Sequence, residues 1–366
     1  MVHYLYKENH RAVGHGKKIS WHSTFGQISL MVKRLMIEKK FRTPFYEMAK
    51  VHGRSYSLPL QKVITDFGSD VSFEQVGVKL EEHYGITLPT SSIQKITKCH
   101  AEKIAKKFPL GLPLENERSK NVIIGESDGT MVPIVRFEEE KVADKRKKRA
   151  VCWKEAKQSF ARGQQSVRKI FAATLGTADE CGEQLFACAQ KVGMTQQTHV
   201  HCIGDGAYWI REQVDRVFAH QGKYLIDFFH LSEYLSKASE KISDKDKKKW
   251  LEEKKDQMKN NHFQKVLKDL ATRIPSMKNK ECPLYTCYRY IKNCQNHLDY
   301  KGAQDQGLPI GSGEIESSHR TIIQKRLKIP GAWWLPQTAQ NMLTLRCARF
   351  NGMWSSYWDT QHREVA

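Results

Sequence analysis

The stretch NVIIGESDGTMVPIVRF, residues 121–137, decides the fold class. Val122, Ile123 and Ile124 form a short apolar run that leads into Asp128-Gly129, and residues 132–137 are β-rich again. By pattern this is a β-hairpin: a strand over 121–127, a turn holding Asp128-Gly129, and a return strand over 132–137. Further along, strands are expected at 167–175, 199–203 and 224–228, with helices at 179–192 and 208–220 between them. Three strands in succession, then alternating helix and strand, predict an α/β domain with a mixed sheet.

On the N-terminal side, FPLGLPL at 108–114 reads as a linker, and what precedes it reads as helical. Residues 28–40 have a helical pattern, with Ile28, Met31, Leu35 and Met36 apolar and Lys33, Arg34, Lys39 and Lys40 basic. Ser72 is placed to N-cap a helix that Gly85 stops, and Pro89-Thr90-Ser91 starts a second helix reaching about Lys107. This pair, 72–107, carries Ser91, Ser92, Gln94, Lys95 and Lys98 on its second helix and resembles a helix-turn-helix; an ordinary helical hairpin has the same pattern. On the C-terminal side, residues 231–300 are charged and helical, with an apolar stripe including Trp250, Met258, Val266 and Leu270. They are expected to form a helical insertion in the α/β domain, followed by helices at 311–328 and 337–350. The expected organisation is a basic helical region at 1–115, the first part of the α/β domain at 116–230, the insertion at 231–306 and the remainder of the domain at 307–366.

Charge narrows the partners. The chain has 366 residues with 60 Lys+Arg against 40 Asp+Glu, a formal +20, and residues 1–65 carry a local excess of nine. Such an excess points to a polyanion, of which nucleic acid is the commonest. No run of about 18 apolar residues suggests a membrane span. Residues 1–18 are polar with no apolar signal region, so a cytoplasmic, nucleoid-associated location is expected. The nine scattered cysteines fit reduced thiols. Cys282, Cys287, Cys294 and His297 are too tightly spaced for a typical zinc site and read as helix positions. P-loop, G-x-S-x-G and H-E-x-x-H motifs are absent, and Gly311-Ser312-Gly313 is not followed by a glycine at 316.

Asp128 and Asp205 each sit beside glycine at an expected strand end. Two carboxylates aimed at one point repel unless a cation lies between them, and Mg²⁺ suits an all-oxygen site of this kind. A metal pair ~4 Å apart activates an attacking oxygen and stabilises the leaving oxygen of a phosphodiester, and such a site needs a third acid.

Several blocks together resemble the insertion-sequence transposases of the DDE type, specifically the Kra-type group. They are DFGSDVSF at 66–73, HYGI at 83–86, SDGTMV at 127–132, IGDGAYWI at 203–210, IDFFHL at 226–231, GLPIGSGEIE at 307–316, and QKRLK at 324–328 continuing to Trp334. The resemblance implies an RNase H-like catalytic domain with a helical insertion; from the pattern and charge above, an α-helical DNA-binding domain is expected to precede it. It implies that Asp128, Asp205 and a glutamate of the Gly-Ser-Gly block hold two Mg²⁺, with Mn²⁺ as a substitute. A helical projection from Ser312 favours Glu316 over Glu314, which it turns toward solvent or DNA. Asp227 and His230 resemble a D-x-x-H element that places DNA near the active site; a buried histidine packed at a strand end fits as well. Lys95, Lys98, Lys147, Lys148, Arg149, Arg320, Lys325, Arg326 and Lys328 are expected to contact DNA phosphates. Trp209 is expected in the core, whereas one of Trp333 and Trp334 should face DNA or another subunit. The expected activity is cutting at transposon ends and joining the freed 3′-hydroxyl to target DNA, by a homodimer or larger assembly on DNA. A non-enzymatic DNA-binding regulator and an RNase H-like nuclease without strand transfer are the alternatives.

Overall fold

The structure is a computed structural model that describes residues 11–12, 16–37, 40–43, 56–107, 117–137, 149–274 and 281–364. It divides into two compact units. The first comprises residues 1–107, 329–332 and 352–366, and the second 108–328 and 333–351.

The first unit opens with short strands: β1 (Arg11–Ala12), β2 (Lys17–Ser23), β3 (Gly26–Val32), β4 (Leu35–Ile37) and β5 (Lys40–Arg42). The helix expected over 28–40 is therefore not formed. Gly26, at φ +107°, closes a turn that sets Trp21 opposite Ile28 and Ile19 opposite Leu30. Ile28, Leu30 and Val32 also satisfy a period of two, and the adjacent β2 supplies the ladder that decides between the two periods. Three helices follow: α1 (Leu58–Asp70), α2 (Phe73–Tyr84) and α3 (Thr90–Lys107). Ser72 Oγ accepts the Gln75 amide at 3.3 Å, and Gly85 ends α2 in the left-handed region at φ +61°. Leu60 and Ile64 of α1 pack with Val76, Leu80, Ile93 and Ile96, so the expected helix pair is part of a three-helix core. α1 and α3 approach closely because Gly68 has no side chain; a Cβ there would fall 2.4 Å from Thr97 Oγ1.

The second unit is built on β6 (Val122–Phe137), β7 (Arg149–Gly163), β8 (Ile170–Thr174), α4 (Ala178–Lys191), β9 (His199–Gly204), α5 (Tyr208–Phe218) and β10 (Gly222–Ile226). Its five-stranded sheet has the order β10-β9-β6-β7-β8. β6, β7 and β8 are antiparallel neighbours, whereas β9 runs parallel to β6 and β10 parallel to β9. The expected α/β mixed sheet is present, but the expected hairpin turn is not. β6 passes straight through Asp128-Gly129, with Asp128 opposite Gln158 and Gly129 opposite Lys157. Ile124, Glu126, Asp128, Thr130, Val132 and Ile134 keep one alternation throughout, so a single strand satisfies both apolar runs. The long partner β7 then outweighs the local turn preference of Asp-Gly.

Helices α6 (Phe228–Ser239), α7 (Asp244–Lys259), α8 (Phe263–Arg273), α9 (Pro283–Cys294) and α10 (Tyr300–Asp305) come next. Their Leu231, Leu235, Trp250, Met258, Val266, Leu270 and Ile291 share one hydrophobic cluster with Ile123, Val200 and Leu225 of the sheet and Leu185 of α4. Helix α11 (Gly313–His319) continues through a π-helical turn at Arg320–Gln324 and a last turn at Lys325–Leu327. Arg346 of α12 (Pro336–Phe350) is buried there, donating from Nε to the Ile322 carbonyl at 2.6 Å and from Nη2 to the Thr321 carbonyl. These bonds satisfy carbonyls at the π turn. The last helix, α13 (Trp354–Glu364), belongs to the first unit, although residues 307–366 were expected to complete the α/β domain. Its Tyr357 hydroxyl lies 2.7 Å from His100 Nδ1, and its Trp358 ring is 4.5 Å from the His100 ring.

All nine cysteines are free thiols. Cys282, Cys287 and Cys294 are buried positions at and along α9. Among the described residues no helix is long and apolar enough to cross a membrane.

Candidate active site

Register places the two aspartates together. Glu126 of β6 pairs with Ile203 of the parallel neighbour β9, so Asp128 and Asp205 occupy equivalent steps two residues further on. Asp128 is 30% exposed; its Oδ1 accepts the Gly129 amide at 2.7 Å, and its Oδ2 lies 3.4 Å from His319 Nδ1. Asp205 Oδ1 accepts the Ala207 amide at 2.8 Å, while Gly206, at φ +93°, turns the chain. The Tyr290 hydroxyl donates to the Asp205 carbonyl at 2.8 Å. Burial, reinforced by the charges of Asp205, Glu316 and Glu155, pushes the Asp128 carboxyl up to about 6. Asp128 therefore feels the charge of both other carboxylates singled out from the sequence.

The two glutamates of GSGEIE part company. Glu316 is exposed on α11, and its charge acts on Asp128. Glu314 is not directed at solvent, as the helical projection suggested. Arg162 Nε donates to both its oxygens, at 3.0 and 3.1 Å, and Lys169 Nζ sits 2.5 Å from Oε2. Burial alone would raise the Glu314 carboxyl, but Arg162 and Lys169 outweigh it and hold it below its ordinary value.

Two carboxylates support this arrangement. Glu126, 1% exposed, accepts the Ile315 amide on Oε2 at 2.9 Å, and burial pushes it up to about 8. It went unnoticed in the sequence, although its place two residues before Asp128 on an alternating strand puts it on the same face. Asp227 is buried and N-caps α6, its Oδ1 accepting the Phe229 and His230 amides at 2.5 and 3.0 Å. Its Oδ2 accepts the Ser312 amide at 2.7 Å and the Ser312 hydroxyl. His230 is half-buried and meets the Tyr234 and Tyr290 rings edge-on. His319 is a second residue the sequence did not flag: it lies on α11, three residues beyond Glu316, and burial holds it down to about 4, so it is neutral at pH 7.

The cations expected to meet phosphate are dispersed. Lys328 donates to Thr130 Oγ1 at 2.7 Å, on the Asp128 face of β6. Arg320 and Lys325 are exposed. Arg326 is buried, with its guanidinium 4.8 Å from the Trp334 ring centre, which removes it from the phosphate-binding surface expected of it. Lys95 is exposed and Lys98 half-buried on α3. Arg149 opens β7, and Lys147 and Lys148 lie outside the described residues. Trp334 is buried and donates to the Leu327 carbonyl at 3.2 Å, whereas Trp333 is 46% exposed. Trp209 is half-buried, with Lys157 Nζ 5.5 Å from its ring centre.

The donor chemistry of Asp128, Asp205 and Glu316, oxygen-only and mutually repelling, fits a hard divalent cation. As the side chains stand, no group of three or more His, Cys, Asp or Glu among the described residues is disposed to hold a metal ion. Fold and site together define a mixed α/β protein with an acidic cluster beside its parallel strands. Residues 180–364, just over half the chain, match the Uncharacterised protein family (UPF0236), and the chain belongs to that family. It is similar to a Streptococcus gallolyticus protein described as "UPF0236 protein in vanSb 3'region", at 23% identity over 342 residues that cover 91% of this chain and 73% of that protein.

Proposed function

We propose that this chain is a DNA transposase of the DDE type whose second unit is an RNase H-like catalytic domain. The observation that carries the reading is the matched register of Asp128 and Asp205, with the charge of Glu316 acting on the same carboxyl. Three sequential antiparallel strands followed by two parallel ones, with a helical segment between Asp205 and Glu316, support it further. Asp128, Asp205 and Glu316 would hold Mg²⁺, or Mn²⁺ in its place, which supplies charge neutralisation at the attacking and leaving oxygens.

The chain's own residues do the rest. The Gly129 and Ala207 amides orient the Asp128 and Asp205 carboxylates. Lys328, Arg320 and Lys325 would contact the phosphates of the DNA that carries the scissile bond. In the first step a water oxygen bonds to phosphorus, the P–O3′ bond breaks, and the strand is left with a 3′-hydroxyl. In the second that hydroxyl oxygen attacks a target phosphorus and displaces the target's own 3′-oxygen. The first unit, with Lys95 and Lys98 on α3, would bind transposon-end sequence. Joining two ends calls for a dimer or larger assembly on DNA, in the nucleoid of a bacterial cytoplasm.

The test is incubation of the protein with a duplex carrying the sequences that flank its coding region, with Mg²⁺ or Mn²⁺. Cleavage plus joined product is expected. Cleavage without joining would leave a nuclease, and binding without cleavage a regulator; either overturns the transposase reading.

A further inference from the structure

We propose that Glu126 and Asp227 are positioning residues that set the distance between the segments bearing Asp128, Asp205 and Glu316; this rests on the reading above. Each ties the Glu316 helix to one of the aspartate-bearing strands. Glu126 lies two residues before Asp128 on the same face of β6, and its Oε2 accepts the amide of Ile315, the residue preceding Glu316. Asp227 follows β10; its backbone amide donates to the Gly204 carbonyl at 2.8 Å, next to Asp205, while its carboxylate holds Ser312. The Phe228 amide, donating to the Ile310 carbonyl at 2.9 Å, adds a second tie between the same two segments. Gly311 permits the approach, since a Cβ there would fall 2.5 Å from the Phe229 ring.

The acceptors lie where the chain needs them. The amides opening a helix have no partner within it, and here two of them, Ser312 N and Ile315 N, are taken by carboxylates from other elements. Both acids are shut away from solvent, Glu126 at 1% and Asp227 at 2% exposure, so neither is presented to DNA. Their geometry holds a backbone in place, and a shift of about 1 Å at a reacting centre is enough to cost on the order of 100-fold in rate.

The test uses the full chain and three substitutions: Glu126→Ala, Glu126→Gln and Ser312→Ala. The first readout is amide hydrogen exchange across residues 311–320 in metal-free protein; the second is cleavage of end-bearing duplex, with kcat and KM separated. Glu126→Ala should speed exchange at Ile315 and lower kcat about 10-fold or more, with KM for DNA within about twofold. Glu126→Gln keeps an acceptor oxygen and should restore both. Ser312→Ala removes only the hydroxyl arm of the Asp227 tie, which guards against misfolding of the Glu126 variants, and should speed exchange over 311–320 with kcat down about threefold or more. Wild-type exchange and kcat in both alanine variants would overturn the proposal, as would Glu126→Gln behaving like Glu126→Ala. If the wild-type protein cleaves no DNA, the transposase reading fails while the exchange arm still decides whether these ties hold the helix.

Discussion

The Arg162 guanidinium holds Glu314 by three contacts, Nε to both carboxylate oxygens and Nη2 to Oε1 at 2.5 Å. That pairing separates two glutamates only two residues apart: Glu314 is tied to the sheet, and Glu316 stays exposed with its charge acting on Asp128.

Glu316→Gln should therefore abolish cleavage of end-bearing DNA while leaving thermal stability near wild type. Glu314→Gln should keep cleavage but lose stability. It leaves Arg162 and Lys169, 13% and 25% exposed, with a weaker acceptor, at a cost of about 1–3 kcal/mol. Cleavage assays and melting curves on both variants check this; an inactive Glu314→Gln beside an active Glu316→Gln would reverse the assignment.

Asp128→Asn should trade activity for stability. Ionised Asp128 is held at a cost that burial and its acidic neighbours impose, and its folded-state value of about 6 lies above the ordinary 3.8. At neutral pH without metal, the neutral amide removes that cost, so the variant should be more stable by about 1–3 kcal/mol, after discounting for the exposed part of the side chain, and should melt at a higher temperature. Cleavage should be lost and duplex affinity retained. A lower Tm in EDTA would show that the carboxylate is not under repulsion.

His100 makes the first unit acid-sensitive. Burial, with Lys103 adding to it, holds the ring down to about 3, below the ordinary 6.5. Between those values the unfolded chain binds the proton and the folded one does not. Stability is therefore complete above about pH 6.5 and falls as the pH drops toward 3, by about 1.4 kcal/mol per pH unit. His100→Gln should remove this slope, seen as a shallower loss of Tm between pH 6 and pH 4 than in wild type. Identical profiles would place the acid sensitivity elsewhere.

DNA affinity should fall steeply with salt. Removing residues 1–65 is a poor probe of the basic N-terminal region, because it deletes Leu60 and Ile64 from the three-helix core. Neutralising the exposed Lys18, Lys33 and Arg34 to Gln keeps that core. If all three contact phosphate, the slope of log affinity against log salt should shrink by about 2–3, measured by fluorescence anisotropy on a non-specific duplex. An unchanged slope would take these cations off the DNA surface.

Much of this protein is written in local sequence. Ser72 and Gly85 bound α2 because a hydroxyl acceptor and a left-handed glycine act within a few residues of themselves. The alternation of strand and helix from β8 to β10 is legible for the same reason, since each apolar run has the length and period of its own element. Asp128 and Asp205 stand out by their glycine neighbours, and the charge excess needs no fold at all. What tertiary structure decided are the questions of partnership. Asp128-Gly129 becomes mid-strand, and residues 28–32 become strand, because β7 and β2 lie opposite them; no local pattern encodes which segment will supply a ladder. Glu314 and Glu316 are chemically identical neighbours until Arg162, 152 positions earlier in the chain, takes one of them. Glu126 looks like any acid in a strand until the Ile315 amide, 189 positions away, arrives above it. Contacts between residues so distant in sequence form only when the sheet register is set, and that register is a property of the folded chain as a whole.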